Sequence, residues 1–352
     1  MSRDEAAPRR PARSCGLAPA PLAPWPTDLA YVHAELDWIA ARALRLGLEN
    51  RATGGRRARH DEDADPRTLE RRLLVARERE TEVRTALDAR LEVHRATGFE
   101  LALDRLVRLH GLDDLERTVL LLSAGPCVSR HFEKLYGDFE GEEQECLTVD
   151  AIFAFAELPF AERVVRRASF GPRGRVVTAD LVDLSHRGRF SPPKDLLSTE
   201  ITIRGRALAY MLGERGLGDE LAAVASVETA LASFERLVLP AADKERILRV
   251  VEGHERYLAT RTAWGLDDVV AYGRGTLLLF HGAPGTGKTM AAHAVAQRLG
   301  KRVLHVDIPV RARTRTRVGS SRGLFREARL QDALLFFDEC ETLFEARSRA
   351  TP

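Results

Sequence analysis

The chain has 352 residues, 44% of them hydrophobic and 30% charged. At roughly 150 residues per domain, that length predicts two or three cores, and no apolar run approaches the ~20 residues of a membrane-spanning helix. With 54 basic against 52 acidic residues the net charge is only +2, so no whole-molecule field draws the chain to nucleic acid or anionic lipid.

The amino terminus, MSRDEAAPRR, lacks the apolar segment of a secretory signal, which makes the cytoplasm the expected compartment. Residues 1–26 carry six prolines among alanines and arginines, a composition that cannot bury a core and predicts disorder. Cys15, Cys127, Cys146 and Cys340 lie far apart with no CxxC pair, which points to free thiols, not a zinc site or a disulfide framework.

From Thr27, an expected N-cap, apolar residues recur every three or four positions through Leu29, Val32, Leu36, Ile39, Ala43 and Leu46, predicting an amphipathic helix. Residues 51–66, with Gly54, Gly55, an arginine cluster and Asp61, Glu62, Asp63 and Asp65, read as an exposed linker. A second helix follows with the stripe Leu69, Leu73, Ala76, Val83, Leu87 and Leu91, so residues 27–98 form a helical region.

Over residues 99–213 the pattern becomes short helices followed by short strands, the order of a winged-helix domain. Leu101 to Leu109, Leu112 to Ala124 and Val149 to Phe155 read as helices, and Pro159 opens a candidate recognition helix from Phe160 to Ser169. Val176 to Leu184 and Glu200 to Ile203 are expected to pair as the wing. Arg163, Arg166 and Arg167 would suit phosphate contacts if this region bound DNA. Residues 214–239 are read as a linker helix, and Ala241 to Leu258 as a further helix leading into residues 240–352.

Gly275 to His281 is a short apolar run of the kind a doubly buried parallel strand shows. Directly after it, Gly282 to Thr289 matches GxxxxGK[ST] at every fixed position. Glycines let such a loop turn successive backbone amides toward phosphates, a concavity that side chains would obstruct. The lysine reaches phosphate oxygens, and the threonine hydroxyl serves Mg²⁺ at the start of a helix. The nucleotide-binding set is therefore Gly282, Ala283, Pro284, Gly285, Thr286, Gly287, Lys288, Thr289 and Met290, with ATP and Mg²⁺ as cofactors. The helix stops at Gly300, where a C-terminal glycine belongs. A second strand is expected at Arg302 to Asp307, and a third at Ala333 to Phe337, ending in Asp338 and Glu339. In that arrangement the first carboxylate holds Mg²⁺ together with Thr289, and the second polarises the attacking water. Glu339 and Lys288 are the expected catalytic residues.

These residues resemble the AAA+ ATPases, and within them bacterial proteins with a winged-helix-like amino-terminal region. The resemblance is carried by Tyr272 to Gly275, by Gly282 to Gly300, by Val306-Asp307 and by Leu324 to Phe344. Ala263-Trp264-Gly265 is similar to the family's lead-in, which helps enclose adenine; a Trp that simply packs reads equally well. The implied fold class is an α/β P-loop NTPase with a parallel sheet, incomplete, preceded by a mostly α-helical and winged-helix-like α+β region. The implied activity is ATP hydrolysis that drives remodelling of a protein or macromolecular complex by a homo-oligomeric, hexameric ring, with a phage-tail-like particle as one client.

Two departures stand out. Arg317 precedes Val318-Gly319 where the family presents a pore-lining aromatic, within an alternation of Arg311, Arg313, Arg315 and Arg317. The chain also ends soon after Asp338, ahead of the sensor, arginine finger, fifth strand and lid that the family places later. That predicts a truncated chain with weak nucleotide binding and little hydrolysis of its own. A DNA-binding regulator that uses ATP as an assembly ligand, and an inactive remnant, are the alternatives.

Overall fold

The computed structural model describes residues 22–53, 65–140, 147–185, 196–266, 275–307 and 321–339. The chain divides into two compact units, residues 1–213 and 214–352. No helix among the described residues is long and apolar enough to cross a membrane.

The first unit is mainly helical. Helix α1 (Asp28–Ala52) starts where Thr27 Oγ1 accepts the Ala30 amide, and it buries Tyr31, Val32, Leu36, Ile39, Ala43 and Leu48. Helix α2 (Pro66–Arg95) packs beside it with only Ala76, Leu87, Leu91 and His94 buried, as a charge-rich surface helix should. Residues 22–26 were expected within a disordered tail. Of these only Trp25 is buried: its amide donates to His94 Nδ1 at 3.1 Å and the Arg90 guanidinium stacks 3.8 Å over its ring, while residues 22–24 and 26 are exposed. The expected disorder of residues 1–21 and the linker residues 54–64 lie outside the described residues.

Helices α3 (Ala102–His110), α4 (Asp114–Val128), α5 (His131–Glu140) and α6 (Val149–Phe155) follow. Helix α4 begins with a reciprocal capping box between Asp113 and Glu116, and Val119 to Leu122 form the centre of the core with no exposure. Helix α5 had no sequence expectation. Helix α7 (Phe160–Arg166) continues as a single 3₁₀ turn, Arg167–Phe170.

Val176 to Leu184 departs from its expected strand. Its first part is the short helix α8 (Arg175–Thr178), in which Thr178 Oγ1 donates to the Gly174 carbonyl at 2.9 Å. Only β1 (Val182–Ser185) is extended, and it pairs antiparallel with β2 (Glu200–Ile203), Val182 opposite Ile203. Helix α9 (Gly205–Met211) ends this unit.

The second unit opens with α10 (Asp219–Ala222) and β3 (Ala225–Glu228), then a 3₁₀ turn at Phe234–Arg236. This replaces the expected linker helix over residues 214–239: residues 225–228 find a ladder partner, which a free helix would not. Helices α11 (Ala241–Ala263) and α12 (Lys288–Arg298) precede β4 (Arg302–Asp307), and α13 (Ser321–Leu330) precedes β5 (Ala333–Asp338). The strand order is β3-β4-β5, with β4 and β5 parallel and β3 antiparallel to β4, so the sheet is mixed where a parallel one was expected.

The run from Gly275 to His281 forms no strand among the described residues. Its alternation survives as one-sided packing: Leu278 and Phe280 lie against Ala291, Ala294 and Val295 of α12, while Leu277 and Leu279 are exposed. An apolar run becomes a strand only where a ladder partner satisfies its backbone, and the pairs of the described sheet end at β5.

The sheet separates two apolar layers. Leu304 and Val306 of β4, with Ala333, Leu335 and Phe337 of β5, meet Leu324 and Ala328 of α13; Leu334 meets α12 on the other face. Because strand side chains alternate, the in-register pairs Val303–Leu334, His305–Phe336 and Asp307–Asp338 all belong to the α12 side.

Candidate functional site

The loop ahead of α12 is built on three glycines with positive φ, Gly282 (+153°), Gly285 (+80°) and Gly287 (+88°). That region is open to glycine and strained for other residues. A Cβ at Gly282 would lie 3.1 Å from Thr286 Oγ1, which itself donates to the Ala283 carbonyl at 2.8 Å. Gly287 caps α12, accepting the Ala291 amide at 2.9 Å, and Lys288 is the first helical residue. The free amides at this 11-residue helix start are the partial positive charge that an anion would meet.

Lys288 is folded over the loop. Its Nζ donates to the carbonyl oxygens of Gly282 at 3.0 Å and Ala283 at 3.1 Å. Thr289 and Met290 are exposed at the next two positions, and Ala283, Pro284 and Gly285 are exposed along the loop. The helix is anchored beneath by Ala291, Ala292, Ala294, Val295 and Ala296, and Gly300, at φ +65°, closes its far end.

The acid pair sits at the end of β5. Asp338 is its last residue, and Glu339 turns into the left-handed region at φ +47° with its amide donating to Asp338 Oδ1 at 3.0 Å. Leu334 packs into the same apolar cluster as Ala291, Ala294 and Val295. The helix that starts at Lys288 and the strand that ends in Asp338 therefore share one core. Trp264, the residue similar to an adenine-enclosing lead-in, caps α11 and is 74% exposed. Tyr272 to Arg274, the arginines 311, 313, 315 and 317, and Cys15, Cys146 and Cys340 lie outside the described residues; Cys127 is a free, exposed thiol.

Four side chains join this site without a sequence expectation. His305 Nε2 lies 3.4 Å from Asp338 Oδ2, and its Nδ1 lies 3.2 Å from Glu228 Oε1. Glu228 Oε2 in turn lies 3.4 Å from His293 Nε2 on α12, and Ser226 Oγ donates to Glu228 Oε1 at 2.9 Å. Burial raises the Glu228 carboxyl, but hydrogen bonds from Ser226 and His305 and the two nearby rings outweigh it and hold it below its usual range. The available signal was local: in Arg302 to Asp307, His305 interrupts an apolar strand on the face it shares with Asp307.

In the first unit, the three arginines expected to meet phosphates are largely committed elsewhere. Arg163 pairs with Asp150 at 3.2 Å and donates to the Leu158 carbonyl at 2.9 Å, and Arg166 pairs with Asp113. Arg167 is exposed, as are Phe160, Val164 and Val165 on the same helical segment.

Comparison with known families returns two matches, the first of which runs from the first unit a short way into the second. The family "Winged helix domain, variant" matches residues 17–225, more than half of the chain. The family "ATPase family associated with various cellular activities (AAA)" matches residues 278–352, which contain the glycine loop and the acid pair, and supports nucleotide binding and ATPase-type function. No curated protein and no solved structure matches. The chain thus belongs to the winged helix domain, variant, family, and part of its second unit, residues 278–352, is similar to the AAA ATPase family.

Proposed function

We propose that the second unit binds ATP with Mg²⁺ at the loop from Gly282 to Thr289, and that hydrolysis there drives remodelling of a protein or macromolecular complex. One observation carries this reading. The Lys288 ammonium rests on two carbonyl oxygens of a loop whose three positive-φ glycines leave no side chain in the way. Two features of the loop support a phosphate chain as its ligand: a Cβ at Gly282 would crowd Thr286, and Lys288 Nζ already lies over the loop.

Lys288 would exchange two weak carbonyl contacts for charge-assisted bonds to phosphate oxygens. Gly282, Ala283, Pro284, Gly285, Thr286, Gly287 and Met290 shape the cradle. Thr289 and Asp338 would hold Mg²⁺, with Glu339 orienting water. Among the described residues no three His, Cys, Asp or Glu side chains cluster as a self-sufficient metal site; a cation served by one hydroxyl and one carboxylate fits a magnesium ion that shares its coordination with phosphates and water. When bound, magnesium supplies charge neutralisation on the transferred phosphoryl group.

The ring assembly, its hexameric order and the client, a phage-tail-like particle among them, rest on the family resemblance. The test of the binding step is limited proteolysis and thermal melting of the full chain. Mg-ATP at 100 times its Kd should add about 2.7 kcal/mol of stability and protect the second unit from cleavage. Identical cleavage and melting with and without Mg-ATP would remove the proposal.

A further inference from the structure

His305 is used neither by the glycine loop nor by the apolar layers, yet it stands between the site's carboxylate and the rest of the sheet. Its ring packs against Phe336, its cross-strand neighbour, with centroids 5.3 Å apart. The Nε2 atom is buried without a hydrogen bond, and the Asp338 carboxylate lies 3.4 Å away. A buried polar nitrogen left this way is unfavourable, so in the tautomer that carries its proton on Nε2 a small rotation of Asp338 that completes the bond is favoured. The other nitrogen faces Glu228 at 3.2 Å. Carboxylates only accept, so whichever ring nitrogen carries the proton donates to one of these two groups.

Resting on the nucleotide reading above, we propose that His305 is a positioning residue for Asp338: it fixes the carboxylate in the orientation that receives magnesium, and Glu228 of β3 holds the ring in place. The geometry clamps Asp338 from two sides. Oδ1 accepts the Glu339 amide at 3.0 Å, and Oδ2 faces His305. Only the remaining lone pairs are free to point at a cation.

The chain of contacts continues from Glu228 to His293, which lies on the helix that begins with Lys288. A polar line therefore crosses the α12 side of the sheet from α12 through β3 and β4 to β5. The lysine's helix and the metal carboxylate are tied together by side chains as well as by the shared apolar cluster. Partners that orient a metal ligand from behind commonly change metal affinity when removed, by about 10–100-fold.

The test uses the full chain and a fluorescent ATP analogue, titrated in Mg²⁺ and again in EDTA. His305→Ala should weaken binding in Mg²⁺ by about ten-fold and leave binding in EDTA unchanged. His305→Gln, whose amide reaches toward the Nε2 position, should restore most of the Mg²⁺-dependent affinity. In an Asp338→Asn background His305→Ala should cause no further loss, because coupled residues are not additive. Glu228→Gln should give a smaller loss of the same kind, and it keeps the test alive if the alanine variant melts early. Unchanged affinity of His305→Ala in Mg²⁺, an equal loss in Mg²⁺ and EDTA, or losses that multiply with Asp338→Asn would each overturn the proposal while leaving the nucleotide site standing. Absence of binding by the unsubstituted chain in both buffers would overturn the nucleotide reading itself, and this proposal with it.

Discussion

Arg166, the last residue of α7, is ion-paired with Asp113, the residue that caps α4. The pair joins the candidate recognition helix to the helix behind it, and Glu162 lies a further 3.7 Å from the same guanidinium. With Arg163 held by Asp150 and the Leu158 carbonyl, two of three arginines expected on phosphates already have acceptors. Replacing Arg163, Arg166 and Arg167 together by alanine is expected to leave anisotropy of a labelled DNA duplex the same as for the unsubstituted chain at every salt concentration. Arg166→Ala alone should cost up to about 1 kcal/mol of stability, since the pair is partly exposed. Salt-dependent DNA binding lost in the triple variant would favour the DNA-regulator reading.

Glu35 and Arg117 form a buried ion pair in the first unit at 2.5 Å, and Glu35 has no exposure. Arg117 also donates to Tyr31 Oη at 2.7 Å, and Tyr31 donates to Asp104 at 3.2 Å. Burial pushes the Tyr31 phenol far above its usual range, so it stays a neutral donor. Glu35→Ala strands a buried guanidinium and is expected to cost about 3–5 kcal/mol by urea denaturation, whereas a Glu35→Met, Arg117→Met double variant should recover a large part of that. Equal losses in the two variants would show that packing, not charge, dominates.

The Glu157 carboxyl bridges Arg42 at 2.7 Å and Arg45 at 2.8 Å. Burial raises it, but the Arg45 hydrogen bond and the charges of Arg45 and Arg42 outweigh that and hold the carboxyl below its usual range. A depressed folded value means the contribution is present above the unfolded glutamate pKa of about 4.3 and fades as pH falls through the lower folded value. Stability of the chain measured from neutral pH into acid should drop over that window, and Glu157→Gln should flatten that part of the curve. A curve of unchanged shape in the variant would assign the acid loss to other groups.

How much of this was legible from residues alone follows from how local each feature is. The glycine loop and the Asp338-Glu339 pair are contiguous motifs that can be read without any tertiary partner, and Thr27 and Gly300 signal helix ends within a few positions and do flank α1 and α12. Strand β3 was not legible, because four residues gain meaning only from β4, where Glu228 meets Val303. The same holds for the polar line through Glu228, His305 and His293, which exists only once three elements pack. Conversely, Gly275 to His281 has the composition of a strand, and composition cannot supply the ladder partner.

Gly287 tests the loop's backbone. Its φ of +88° is strained for any residue with a Cβ, and it caps the helix that presents Lys288. Gly287→Ala should cost about 1–2 kcal/mol at this position, read as a fall of about ten-fold in Mg-ATP affinity if the loop must keep this conformation to bind. Undiminished affinity would mean the left-handed turn is dispensable.

The most direct measurement is calorimetric titration of the full chain with Mg-ATP, beside Lys288→Ala. The account predicts saturable binding by the unsubstituted chain, lost or greatly weakened in the variant, because the alanine removes the cation that now rests on Gly282 and Ala283. Binding of equal strength in both proteins, or no heat from either at saturating nucleotide, would contradict it.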